Sequence, residues 1–264
     1  MFVNLFHYFE PIYHFTNFES AIKILATKRL RFGKMCRMND PNESFRPLFI
    51  QSQQVTEDAY DQLERLRGEL EHYQQISFAC DSRKLCGFQL QNMWGNYADS
   101  GNGVCLVFDK GFVIEELNGQ NYGKIRYSKN YVPAIIMPHI LENTFVKRYV
   151  KSQMRSIFFR KSIEWQWEQE FRIVQRFEST EDNYLDLKSR WDKALKCVLF
   201  VYAQDVSKDL NVFAASSVIA LSKLVPKDCL LLQKAKDLDG NDVLYDKEGN
   251  VKWGCKIDAE DIDV

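Results

Sequence analysis

The sequence has little glycine, proline and histidine, and it lacks the short motifs that mark the commonest nucleotide and hydrolase sites. Its 264 residues include 12 Gly, 6 Pro and 4 His. So little Gly and Pro excludes a low-complexity or disordered chain, and four histidines argue against a multi-histidine metal site. No GxGxxG, GxxxxGKS/T, HExxH or GxSxG motif occurs. The chain therefore carries no signature of a Rossmann site, a P-loop, a zinc protease or an α/β-hydrolase.

An excess of one charge and a long apolar run are also missing. Lys and Arg total 35 against 36 Asp and Glu, for a net charge of −1, which excludes a strongly basic nucleic-acid-coating protein but not a local basic groove. The longest apolar stretch, 131–141, is interrupted by Pro133, Pro138 and His139 and is too short to span a bilayer. Seven cysteines without a CxxC pair are typical of reduced thiols. We expect a cytoplasmic protein without a membrane segment.

Hydrophobic periodicity predicts short strands mixed irregularly with helices, which is typical of an α+β fold rather than a regular βαβ repeat. We expect one domain over 1–264, with a motif-bearing core at 11–175 and with 176–264 completing the sheet or forming an accessory lobe. The predicted strands lie at 11–16, 30–32, 76–80, 104–108, 112–117, 123–128, 163–174 and 198–203, with a hairpin within 237–251. The predicted helices begin at residue 17 or 20 and cover 56–74, 89–98 and 142–160.

The segment 163–174 alternates apolar and polar residues almost perfectly. Period two predicts a strand with Glu168, Glu170 and Arg172 on one face, about 6–7 Å apart in succession. Lining a cleft, these groups would hold ribose hydroxyls and stabilise a developing cation. The alternative is a solvent-exposed face with a weak surface ion pair.

Two smaller patterns are candidate ligand contacts. His14 and Thr16 are two residues apart on the first predicted strand and should face one side; the alternative is a half-buried histidine bonded to a backbone carbonyl. Trp94 and Tyr97 lie one helical turn apart and would stack on a nucleobase or nicotinamide ring, unless they are core residues.

Two charged patterns have competing interpretations. Asp40 and Glu43 lie in a turn-rich loop that would bind a metal or a ligand, or would only form Asx turns and caps. The basic residues along 142–160 would attract RNA or DNA, or would form a solvated helix face.

Six segments, in this order, resemble a bacterial family of unknown function, DUF2971. The likeness extends from about residue 11 to 175, and the family name itself implies no activity. The segments are Tyr-His-Phe-Thr at 13–16, Asn-Asp-Pro-Asn-Glu at 39–43, Ile-Ser-Phe-Ala-Cys at 76–80, Met-Trp-Gly-Asn-Tyr-Ala at 93–98, Gly-Val-Cys-Leu-Val-Phe-Asp at 103–109 and Trp-Glu-Gln-Glu-Phe-Arg at 167–172.

A more distant likeness is to the ADP-ribosyltransferase fold, whose first strand carries a histidine followed by Thr or Ser and whose late strand carries a glutamate. His14, Thr16 and Glu170 match those positions. The resemblance implies small mixed or antiparallel split sheets with flanking helices, and NAD as a substrate in a cleft between them. It implies that His14, with Thr16 in support, bonds an NAD ribose hydroxyl and that Glu170 holds the nicotinamide ribose 2′-hydroxyl.

The same resemblance implies roles for the remaining site residues. The fold often has a tyrosine where this chain has Phe78, and Tyr97 would substitute for it. Either Tyr97 or Phe78 would pack against nicotinamide, with Trp94 nearby. Glu168 would orient the acceptor, and Arg172 or Arg160 would meet pyrophosphate.

Three functions follow as hypotheses. The first is an NAD-dependent ADP-ribosyltransferase, a bacterial toxin or phage-defence effector, that modifies RNA, single-stranded DNA or protein and is restrained by an inhibitory partner protein. The second is a non-catalytic module that binds a nucleotide or a partner. The third is a metal-dependent nuclease that uses Asp40, Glu43, Glu168 and Glu170. No resident metal is expected for the first two.

Overall fold

A computed structural model shows a mixed α+β protein, which confirms the predicted fold class. It describes residues 6–34, 38, 40, 57–117, 121–129, 143–179, 181–201, 208–236 and 240–254. Its strands are β1 Pro11–Thr16, β2 Arg29–Arg31, β3 Gly33–Lys34, β4 Tyr73–Cys80, β5 Val104–Asp109, β6 Asn121–Lys124, β7 Arg126–Ser128, β8 Arg160–Ser162, β9 Glu170–Arg176, β10 Tyr184–Asp186, β11 Leu195–Val201, β12 Leu230–Lys236, β13 Asp242–Tyr245 and β14 Val251–Gly254. Its α-helices are α1 Phe18–Thr27, α2 Glu57–Glu71, α3 Gln91–Tyr97, α4 Lys110–Glu115, α5 Asn143–Ser152, α6 Met154–Phe158, α7 Trp191–Ala194 and α8 Lys208–Leu224.

The chain divides into two compact units, each assembled from separate segments. Unit 1 contains residues 1–29, 78–117 and 186–264, and unit 2 contains residues 30–77 and 118–185. The prediction of one domain over 1–264 stays a prediction.

Unit 1 is built on a mixed sheet whose strands run in the order β14, β13, β12, β11, β5, β1, followed by the last residues of β4. The pair β11–β12 is parallel and the other pairs are antiparallel. β5 lies at the centre, and Val104 through Phe108 are each fully buried, as its apolar run predicts for a strand covered on both faces. Strands β11 to β14, which lie within 176–264, thus belong to this sheet, which is larger than the small sheets expected.

Local signals explain where the first elements of unit 1 begin and end. The side chain of Asn17 accepts a hydrogen bond from the backbone N–H of Ser20 at 2.8 Å and caps α1. Lys28 ends α1 in the left-handed conformation, with φ 59°. Along β1, Tyr13 and Phe15 are buried whereas His14 and Thr16 are partly exposed. The predicted common side for His14 and Thr16 is therefore confirmed.

Unit 2 contains β3, the first five residues of β4, β6 to β9 and the helices α2, α5 and α6. β6 pairs with β9 antiparallel, and β7 pairs with β8 parallel. The apolar faces of α2 and α5 meet the strands in one core cluster, as amphipathic helices do. That cluster comprises Leu66, Leu70, Tyr73, Ile125, Val146, Val150, Met154, Phe158, Phe159 and Val174.

Two strand predictions were wrong. Residues 110–115 form helix α4, because the Asp109 side chain accepts from the backbone N–H of Gly111 and caps a helix there. Residues 163–168 form a 3-10 helix, and β9 begins only at Glu170. Gln169, with φ 48°, breaks the extended path between them. The alternation in 163–168 therefore does not correspond to the two faces of a strand.

Other predicted elements are confirmed with small shifts. The predicted helix at 142–160 is divided into α5 and α6 at Gln153. The predicted hairpin is β13 paired with β14, with Asp246 bonded to Asn250 in the turn. Among the helices that the structure describes, none is long and apolar enough to cross a membrane.

Gly103, directly before β5, lies in tightly packed surroundings. A Cβ atom there would lie 2.5 Å from the backbone oxygen of Thr16 and 2.8 Å from the Cα atom of Ala98, whereas one at Gly95 in α3 would meet nothing within 4 Å. We expect Gly103→Ala to lower the free energy of unfolding by about 1–3 kcal/mol through overpacking. Gly95→Ala, the matched control, should be neutral or stabilising by up to about 1 kcal/mol because Ala favours a helix. Urea unfolding of both variants measures the difference; equal effects would contradict this packing.

Candidate functional site

Glu170 is held by a bidentate ion pair inside unit 2. The Arg172 Nε atom donates to Glu170 Oε1 at 2.8 Å, and Arg172 Nη2 donates to Glu170 Oε2 at 2.8 Å. Arg172 Nη1 donates to the backbone oxygen of Phe158 at 2.8 Å. Arg172 is fully buried and Glu170 is 5% exposed. The sequence left two arrangements open, a row of charged groups lining a cleft and a solvent-exposed ion pair. The structure shows neither, because both side chains are buried and the guanidinium does not face a cleft.

A second cation lies between the two glutamates of the predicted row. Lys161 Nζ lies 2.6 Å from Glu168 Oε2 and 3.6 Å from Glu170 Oε2, and it also lies 4.6 Å from the centre of the Trp165 ring. Lys161 and Glu168 are buried, at 4% and 3% exposure. Two carboxylates are therefore balanced by two cations, and we call Lys161, Glu168, Glu170 and Arg172 the charge network.

A two-stranded ribbon positions part of the charge network. Tyr127 of β7 lies opposite Lys161 of β8 in the parallel pair, and both side chains reach the network. The Tyr127 hydroxyl accepts from the backbone N–H of Glu170 at 2.9 Å, and the Glu170 carbonyl accepts from the backbone N–H of Ile125. Ser77 of β4 hydrogen-bonds the Glu170 carboxylate through its side chain. Glu170 is therefore fixed through its backbone and its side chain.

These contacts keep Glu170 ionised. Burial alone would raise the pKa of its carboxyl, but the opposing charges of Arg172 and Lys161 and the hydrogen bonds from Arg172 and Ser77 outweigh it, so the pKa lies below its usual value. Burial, followed by the charge of Glu170, raises the pKa of Tyr127. At neutral pH, Tyr127 is thus a neutral phenol beside an anionic carboxylate.

The carboxylate of Glu170 retains some capacity for a ligand. A carboxylate has about four lone-pair sites; Arg172 occupies two of them and Ser77 a third. Lys161 at 3.6 Å from Oε2 lies beyond hydrogen-bond range. The described residues leave one acceptor site of this carboxylate open, and it is the type that binds a hydroxyl or faces a developing cation.

The other residues matched to the transferase motif lie in unit 1. The rings of His14 and Phe78 are 5.7 Å apart, and Phe78 is 1% exposed. The Trp94 ring packs edge-on against Phe15 at 5.2 Å, and its Nε1 donates to the Phe88 carbonyl at 2.6 Å. Trp94 is 3% exposed, which agrees with the core interpretation.

Tyr97 is half-buried at the end of α3. Contacts of His14, Thr16, Phe78, Trp94 and Tyr97 with NAD stay predictions, and so do the contacts of Arg160 and Arg172 with pyrophosphate.

Unit 1 also contains a pocket of about 1110 Å³. Lys234 is 5% exposed within it; its Nζ lies 2.6 Å from Asp242 Oδ1 and 5.6 Å from the centre of the Trp94 ring. Burial lowers the pKa of Lys234 although Asp242 opposes that shift. Lys236, half-exposed, also contacts Asp242 at 3.0 Å. The pocket thus combines apolar walls with a buried ammonium–carboxylate pair.

The nuclease hypothesis finds no metal site in the part of the chain that the structure describes. Within that part, no three His, Cys, Asp or Glu side chains are grouped so that they could hold a metal ion. Asp40 is fully buried, and Glu43 lies outside the described residues.

Sequence reasoning missed Ser77, Tyr127 and Lys161 as parts of the site. Ser77 precedes Phe78 in the segment 76–80 that resembles the family. This neighbourhood was the one sequence signal that could have identified Ser77 as part of the site. Tyr127 is 43 residues from Glu170, and no spacing rule joins two residues so far apart. Lys161 directly follows the basic segment 142–160, for which a solvated helix face was one interpretation, but it lies on β8 and is buried.

Comparison with protein families confirms the resemblance to the family of unknown function. Residues 93–173 match the model described as "Protein of unknown function (DUF2971)". Three of the six quoted segments, at 93–98, 103–109 and 167–172, lie in this match, which contains the whole charge network. No curated protein and no solved structure matches the chain.

The charge network predicts a pH-dependent stability effect. At pH 7, Glu170→Gln should lower the free energy of unfolding by about 3 kcal/mol, because it leaves buried cations without their partner. Since the folded-state pKa of Glu170 is lowered, the stabilisation is fully present above the unfolded pKa of about 4.3 and is lost as the pH falls through the folded pKa. The deficit of the variant should therefore shrink in acid.

Urea unfolding at pH 7 and at successively lower pH, followed by tryptophan fluorescence, measures this deficit. Glu164→Gln at an exposed position is the control and should show little deficit at any pH. A deficit for Glu170→Gln that is absent or does not change with pH would contradict the buried ionised pair.

Proposed function

We propose that this protein is an NAD-dependent ADP-ribosyltransferase with an ADP-ribosyltransferase-like fold, in which Glu170 acts on the nicotinamide ribose. The observation that carries the proposal is the state of this carboxylate. Its pKa is lowered, Arg172 and Ser77 fix it, and the residues that the structure describes leave one of its acceptor sites open. A fixed anion in a low-dielectric site stabilises a cationic transition state with little reorganisation.

Cleavage of the bond between ribose and nicotinamide requires little of the protein besides this anion. The bond between C1′ of the ribose and the nicotinamide nitrogen breaks, and its electron pair leaves with neutral nicotinamide. Positive charge develops on the ribose ring, as in glycoside cleavage. Glu170 would accept a hydrogen bond from the 2′-hydroxyl and stabilise that charge. The acceptor nucleophile then bonds C1′ and releases its proton to solvent or to a base.

The contacts favour supporting roles for the other members of the charge network. Arg172 uses three N–H groups on Glu170 and the Phe158 carbonyl, which favours positioning Glu170 over a contact with pyrophosphate. Glu168 is paired with Lys161 at 2.6 Å, which favours positioning that lysine over orienting the acceptor. The hydrogen bond from Ser77 keeps the Glu170 carboxylate in its orientation.

The rest of the proposal comes from the resemblance. His14 and Thr16 would bond an NAD ribose, Tyr97 or Phe78 would pack against nicotinamide, and Trp94 would line the site. A bacterial toxin or phage-defence effector restrained by a partner protein would act in the cytoplasm on an RNA, single-stranded DNA or protein acceptor. The five cysteines that the structure describes are buried.

A second candidate function is binding without turnover. The pocket of unit 1, with Lys234 and Lys236 at Asp242 and the Trp94 ring beside Lys234, favours a nucleotide- or partner-binding module. This candidate predicts ligand binding that survives Glu170→Gln, with no nicotinamide released from NAD.

Nicotinamide release from NAD tests the first candidate. We expect release by the wild-type protein, and a fall of about 100-fold or more in Glu170→Gln, the usual effect of removing one electrostatic stabiliser. Glu164→Gln should retain the wild-type rate because its side chain is exposed and outside the network. Circular dichroism must show that each variant is folded. No release by the wild type, or equal release by folded Glu170→Gln, would contradict the proposal.

A further inference from the structure

The pocket of unit 1 contains a buried ammonium group with few acceptors around it. Lys234, on β12, lines the pocket and is 5% exposed. A lysine ammonium carries three N–H donors, and one of them donates to Asp242 Oδ1 at 2.6 Å. The Trp94 ring at 5.6 Å attracts the cation through its π face. The residues that the structure describes supply no second hydrogen-bond acceptor to this ammonium. Because buried polar groups are nearly always paired, two donors are left for a bound molecule.

The cluster around Asp242 carries one excess positive charge. Lys236 follows Lys234 on the same face of β12, and it lies opposite Asp242 in the pair of β12 and β13. Its Nζ lies 3.0 Å from Asp242 Oδ1, so two ammonium groups share one carboxylate. Gln91 adds only the neutral N–H groups of its amide, at 3.3 and 3.4 Å from the two oxygens of Asp242. An unbalanced charge at a buried position is costly, so an anion bound here would be stabilised.

The charge count favours a ligand with a single negative charge. Asp246 and Lys247 also line the pocket, but each has its own partner. Asp246 Oδ2 lies 3.0 Å from Lys252 Nζ, and Lys247 Nζ lies 3.5 Å from Glu248 Oε1. The excess in the pocket therefore stays at one. A phosphate monoester, such as the end of a nucleotide, carries about −1.5 to −2 at neutral pH, whereas a carboxylate carries the one charge that the cluster lacks.

Apolar side chains form much of the pocket wall. They come from strands β11, β12 and β13 and from helix α8, and they are Phe200, Leu231, Tyr245, Val218 and Ile219. Ile219 is 55% exposed, although covering an apolar side chain is favourable. An apolar ligand body in the pocket would cover it. The volume of about 1110 Å³ is sufficient for a molecule of drug size.

We propose that this pocket binds a small amphipathic carboxylate, with its carboxylate on Lys234 and Lys236 and its apolar body against the wall that includes Ile219. The carboxylate accepts the N–H groups that Asp242 leaves over, in charge-assisted hydrogen bonds. Burial lowers the pKa of Lys234, and a bound anion opposes that shift. The proposal does not rest on the transferase function, and it narrows the ligand of the second candidate function to one chemical class.

Calorimetric titration at neutral pH with sodium decanoate and with 1-decanol tests the site. The two probes have apolar chains of nearly equal length and differ in the charge of the head group. We expect the wild type to bind decanoate at least about tenfold more tightly, the usual effect of a hydrogen bond to a charged group. Lys234→Met should abolish that preference by weakening decanoate alone, because Met keeps an apolar side chain of similar size and removes the charge. Equal affinity of the wild type for the two probes, or no binding of decanoate, would overturn the proposal.

Three further variants, each shown by circular dichroism to be folded, separate the charge from the fold. Lys223→Met, the matched control, removes an exposed charge from the last turn of α8 and should leave both affinities unchanged. Lys236→Met, at a half-exposed side chain, removes the excess charge without opening the core and should weaken decanoate alone. Ile219→Ser should weaken both probes by the same factor. An equal loss of both probes in folded Lys234→Met and Lys236→Met, a loss of decanoate in Lys223→Met, or tighter binding of AMP than of decanoate would overturn the carboxylate site. Since no step of this test uses NAD, failure of nicotinamide release would refute the transferase proposal alone.

Discussion

The bidentate pair between Glu170 and Arg172 is the interaction on which the site depends. Burying two charges is costly, and only good geometry and further hydrogen bonds offset that cost. Here the guanidinium also bonds the Phe158 carbonyl, and Lys161 supplies a second positive charge. The result is a carboxylate that is ionised and held in place by its partners. These properties suit a group that stabilises a cation, and they would hinder a group that must exchange protons with solvent.

Local patterns predicted most of the elements because each pattern has a short-range cause. The five-residue apolar run at 104–108 became a central strand, and Asn17 capped the first helix. The errors also have local causes. The cap at Asp109 turned a predicted strand into a helix, and the left-handed Gln169 separated Glu168 from β9. Alternation alone did not distinguish a strand from a 3-10 helix over 163–168.

The site was predictable only in part, because its partners are far apart in sequence. Glu170, Glu168 and Arg172 could be identified from their spacing. Ser77 and Tyr127 reach Glu170 only through the arrangement of strands in unit 2. Lys161 illustrates the difficulty most clearly, because a basic run suggests a solvated face whereas this lysine is buried between two carboxylates. The ribbon of β7 and β8 thus brings Tyr127 and Lys161 to the two carboxylates.

The central claim is that Glu170 uses its remaining acceptor site to hold a ribose hydroxyl. The direct measurement is a double cycle of nicotinamide release that compares NAD with an analogue lacking the 2′-hydroxyl of the nicotinamide ribose, in the wild type and in Glu170→Gln. The account predicts that removing the hydroxyl slows the wild type strongly and slows the variant little, since the two changes remove one interaction. Equal slowing in both proteins would show that Glu170 does not hold that hydroxyl.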